Sequence, residues 1–127
     1  MNFKPIIKKI SCWLQGILYA AAGINHFINP NAYLPMIPPY IPFKPEVNIV
    51  VGIVELILGL LLIIWAKQRK KIAISIIVLL ILLIPAHIYH IQMGGVLPGS
   101  LTLPLWGAWV RLFLQFPLIL WAWSARK

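Results

Sequence analysis

Four long apolar runs alternate with short polar or basic breaks along the chain. They cover about residues 10–28, 47–66, 72–91 and 105–123. At 1.5 Å per helical residue, each crosses most or all of a hydrocarbon core about 30 Å thick. The pattern predicts an all-α fold, an integral membrane four-helix bundle in one domain over residues 1–127. The first run also fits a signal peptide, because Lys4, Lys8 and Lys9 precede it and Ala20-Ala21-Ala22 offers small residues for cleavage. A span is the preferred reading, since cleavage would leave the chain starting at the polar stretch the rest needs.

That stretch is Gly23 to Pro42, GINHFINPNAYLPMIPPYIP. Prolines at 30, 35, 38, 39, 42 and 45 forbid a continuous helix after His26, since each lacks an N–H and restricts its predecessor. Phe27, Tyr33, Leu34, Met36, Ile37, Tyr40, Ile41 and Phe43 make the segment too apolar for a solvated linker. It is expected at the membrane interface or folded over the bundle mouth. Within the spans, Gly16, Ala20 and Gly23 recur on one helical face, and Gly52, Glu55 and Gly59 on another. Small residues admit a close neighbouring helix, so both faces should meet protein. Pro85 breaks the third run late, and Trp106, Trp109, Trp121 and Trp123 stand near the ends of the fourth as interfacial anchors.

Composition agrees with a bilayer. Hydrophobic residues make up 61% and charged ones 10%, against roughly 25% charged in ordinary soluble domains. The net charge of +9 does not point to nucleic acid, because the basic residues sit in clusters between apolar runs rather than on one wet face. The clusters set a topology instead. Three Lys precede the first run, four Lys and Arg fill the break at 67–71, two end the chain, and Lys44 stands alone on the other side. The positive-inside rule then places both termini in the cytoplasm. Cys12 has no partner for a disulfide, a redox pair or a thiolate metal site, so any redox chemistry would borrow its carrier.

With this topology, His26 and His90 lie at the outer ends of the first and third spans. Glu55 and Arg111 sit roughly 12 and 9 Å below the outer ends of theirs. They are close enough in depth to meet, and Gln115 lies one turn deeper than Arg111. Three readings follow. Glu55 and Arg111 form a buried pair that fixes helix register. Alternatively His26, Glu55, Arg111 and Gln115, with Asn25, Tyr33, His87 and His90 as secondary members, line a polar pocket under the Pro-rich segment. That pocket would hold a small molecule or the head of a lipid or quinone. Finally, histidines and a glutamate suit a metal, although His87 and His90 at i, i+3 are a chance-level spacing and no metal site is assigned. Met36 and Met93 read as packing.

The motifs A-G-x-x-H-F-x-x-P-x-x-Y-x-x-M-I-P-P-Y at Ala22 to Tyr40, G-x-x-E-L-x-L-G at Gly52 to Gly59, P-A-x-I-Y at Pro85 to Tyr89 and R-L-x-L-Q at Arg111 to Gln115 together resemble the DoxX-like small membrane proteins of bacteria. The resemblance covers nearly the whole chain, with His26, Pro30, Tyr33, Glu55, Arg111 and Gln115 at matching positions. His87 departs from it, standing where asparagine is common, and His90 lies outside the pattern. The resemblance implies a multi-pass protein of the bacterial inner membrane, an accessory or quinone-linked subunit of a redox system, with the bilayer and other redox subunits as partners. A non-enzymatic scaffold or assembly protein is the alternative. A small-solute or proton transporter is a third, which four short spans would allow only in a homo-oligomer.

Overall fold

The computed structural model describes residues 3–96 and 104–126, and among these all regular structure is helical. Helix α1 runs Lys4–Ile28, α2 Lys44–Ile64, α3 Arg69–Leu82, α4 Ile84–Gln92 and α5 Leu105–Ser124. Proline sits in the first turn of α1, α2 and α4, where its missing N–H costs no helical bond. Two short 3-10 turns, Pro30–Ala32 and Leu34–Met36, shape the segment between α1 and α2. The chain then swings into α2 through Phe43, whose φ of 56° is left-handed. Most of the Gly- and Pro-rich loop expected over 92–104 lies outside the described residues, as does Lys127.

Three stretches are long and apolar enough to cross a membrane: Lys44–Ile64, Ala66–Gln92 and Leu105–Ser124. The middle one is a broken rod. Pro85 cannot donate to the Ile81 carbonyl, so the ladder stops at Leu83 and restarts as α4. Helix α1 is not among the three, because Ser11, Gln15, Tyr19, Asn25 and His26 dilute its apolar run. Of these, Gln15, Tyr19 and His26 are buried. Gln15, His26, Asn48, Glu55, His90 and Gln115 are all buried, while Ile17, Ile57, Leu60, Ile81, Phe113 and Leu120 project outward. Polar groups inside and aliphatic ones outside invert the water-soluble pattern and suit surroundings of lipid.

Helices α1 and α2 pack antiparallel through their small residues. A Cβ added to Gly59 would lie 2.6 Å from the Ala20 nitrogen and the Gly16 oxygen, and one on Gly23 2.5 Å from the Gly52 oxygen. Backbone therefore meets backbone, and the two stripes read from the sequence face each other. Helix α5 lies against α3 and α4. Its far end closes onto α1, where the Trp121 indole donates to the Ser11 hydroxyl at 2.8 Å. Below this latch, Cys12, Tyr19, Leu62, Ile72, Ala73, Ile76, Leu80 and Ala122 form the apolar core.

Candidate functional site

The α1–α2 register brings three polar side chains together at the end away from the core. Asn48 Nδ2 donates to the His26 carbonyl at 3.0 Å, which fixes the amide orientation. Asn48 Oδ1, able only to accept, then faces His26 Nδ1 at 2.7 Å, so that nitrogen carries the proton. The other ring nitrogen, Nε2, stands 3.1 Å from Glu55 Oε2. The two are at ion-pair distance but off the line of a well-formed hydrogen bond. The ring stacks on Tyr33 with centroids 3.8 Å apart. Tyr33 in turn accepts a hydrogen bond from Asn25 Nδ2, and Asn29 Nδ2 donates to Asn25 Oδ1 at 2.8 Å.

A second polar group forms between α4 and α5. Two positive-φ glycines, Gly94 and Gly95, turn the chain back at the end of α4. His90 Nε2 reaches the Gly95 carbonyl at 2.9 Å and must donate to it. Its Nδ1 is thus the acceptor for Arg111 Nη1 at 3.1 Å. Arg111 Nη2 also points to Met36 Sδ at 3.6 Å, tying α5 to the proline-rich segment.

Between the two groups lies a cavity of about 530 Å³. The proline-rich segment roofs it with Tyr33, Met36, Ile37, Pro38 and Ile41. His26, Asn48 and Glu55 face it from one side and His87 and Arg111 from the other, over a floor of Val51, Val54, Val78, Leu79 and Leu82. A mostly apolar cavity with a few convergent polar groups is the usual form of a small-molecule site.

Glu55 and Arg111 line one cavity but are not an ion pair. Glu55 shares the Gly52–Gly59 stripe, which α1 occupies, so its partner is His26. Arg111 turns to His90 and Met36 instead. Gln115 is not part of the cluster either, for its Nε2 donates to the Leu80 carbonyl at 3.0 Å, just before the break in the α3–α4 rod. His87 and His90 diverge: one faces the cavity with Nδ1 buried and unpaired, the other is wholly enclosed behind Arg111. No three His, Cys, Asp or Glu among the described residues gather closely enough for a metal ion. Sequence reasoning missed Asn48. Its signal was present, because Asn48, Gly52, Glu55 and Gly59 recur at helical spacing on one face.

Residues 15–126 match a family model described as Domain of unknown function (DUF8561). This corrects the resemblance to the DoxX-like proteins, which rested on short polar motifs set in hydrophobic helices. No curated protein matches the chain. No solved structure matches it.

Proposed function

The chain belongs to this domain family of unknown function, DUF8561, and we propose that it is a four-span membrane protein that binds a small amphipathic molecule. The observation that carries this reading is the cavity: its apolar floor suits a hydrocarbon body, and its two polar walls suit a hydrogen-bonding head. The fourth span is α1. Its 25 residues would extend about 37 Å, and antiparallel packing on α2 gives the two helices a common depth. The positive-inside rule would turn the end bearing Lys8, Lys9, Lys67, Lys70 and Arg126 toward the cytoplasm. The cavity would then open in the outer leaflet half.

The full chain, purified from its own membranes in mild detergent and extracted for mass spectrometry, tests the reading. The expected result is one amphiphile enriched over the bulk lipid. The enrichment should disappear in Ala86→Phe, which fills the cavity from α4. Bulk lipid composition in both proteins would overturn it.

A structural role is the second reading, and the reciprocal His26–Asn48 bonds favour it, since they join α1 to α2 without any ligand. It expects a scaffold whose partner complex fails to assemble when His26 is lost. Native gels of membranes carrying His26→Ala check this.

A further inference from the structure

The cavity walls are unevenly charged. Arg111 donates to His90 Nδ1 and Met36 Sδ, and neither partner is negative. His90 cannot become so, because its other nitrogen already donates to Gly95. The chain holds two acidic residues in all. Glu46 is exposed in the first turn of α2, and Glu55 is held by His26. Among the described residues no carboxylate comes within 4.0 Å of Arg111. On the same wall, His87 Nδ1 is buried without a hydrogen-bond partner. A guanidinium has five donors arranged to grip a planar or tetrahedral oxyanion, and leaving it without a counter-charge inside apolar helices is costly.

From these facts we infer that the amphiphile bound in this cavity carries an anionic oxygen head, a carboxylate or a phosphate, on a single apolar chain. The inference rests on the cavity being a ligand site, as proposed above. Arg111 grips the head, and His87 Nδ1 supplies a further hydrogen bond. The chain lies along Val51, Val54, Val78 and Leu79. Glu55 also faces the cavity, but its charge is drawn to the α1–α2 side by His26, on which Tyr33 stacks. A volume of about 530 Å³ lies within the range of sites for drug-sized ligands, which favours one chain over two.

Native mass spectrometry of the full chain in non-ionic detergent distinguishes the possibilities. The probes are dodecanoate, dodecyl phosphate, dodecanol and dodecylamine. The expected result is at least tenfold higher occupancy by one or both anions than by dodecanol, and none above background for dodecylamine. Arg111→Gln should abolish the preference and Arg111→Lys retain part of it. Should Arg111→Gln fail to fold, the comparison of head groups on the unaltered chain decides alone. Dodecanol or dodecylamine binding as well as the anions would overturn the charge assignment while leaving the cavity a ligand site. Failure of all four probes, with no copurified amphiphile, would remove both.

Discussion

The seam between α1 and α2 and the seam between α4 and α5 each bury a histidine, yet they are built on opposite terms. In the first, glycines bring two backbones into contact, and His26 carries its proton on Nδ1 toward Asn48 while Nε2 looks at a carboxylate. In the second, the two side chains of His90 and Arg111 meet across the seam, and His90 carries its proton on Nε2 toward a carbonyl while Nδ1 accepts from a guanidinium. One imidazole turns its Nε2 to a carboxylate at ion-pair distance. The other turns its Nδ1 to a guanidinium, from which it accepts. The same residue type therefore faces an acid on one side of the cavity and a cation on the other, and the atom opposite each ring sets its orientation.

Replacing Gly59 by Val strikes the close seam hardest. The added atoms would meet the Ala20 nitrogen and Gly16 oxygen, which are backbone and cannot turn aside. Overpacking of this kind should cost about 3 kcal/mol. A midpoint in denaturant-driven unfolding equal to that of the unaltered protein would show that α1 and α2 are not locked together. A smaller loss, about 2 kcal/mol, is expected for Asn48→Ala, which leaves the His26 carbonyl and Nδ1 without their partner. The same unfolding measurement reads it, and no change would mean that Asn48 is a bystander. The gentlest test perturbs nothing. In 15N spectra of labelled imidazoles at neutral pH, His26 should show a protonated Nδ1 and His90 a protonated Nε2 with a bare Nδ1. Matching patterns for the two rings would erase the contrast.

The helices were legible because outward-facing aliphatic runs are long and because proline acts locally. Pro85 ends one helix and Pro30 to Pro45 prevent another wherever the neighbours fall. The inward position of His26 and Glu55 was legible too, from the small residues at helical spacing beside them. Their partners were not, because opposite formal charges at one depth drew Glu55 to Arg111. Packing decided otherwise. Once the glycine stripe of α2 is taken by the glycine stripe of α1, Glu55 is committed to that side, where His26 on α1 meets it first. Arg111 escaped for a related reason. Its contacts, His90 and Met36, belong to a helix after a break and to a proline-rich turn, and neither position follows from periodicity.

The bond from Trp121 to Ser11 has a bearing on how the protein is made. It joins α5 with α1, which is synthesised well before it. The hairpin carrying His26 and Glu55 can form while α5 is still unsynthesised, but the guanidinium that completes the opposite wall cannot arrive until α5 has been made. A chain cut short before Leu105 would keep the wall of the cavity that carries His26 and Glu55 and would lack Arg111 on the other.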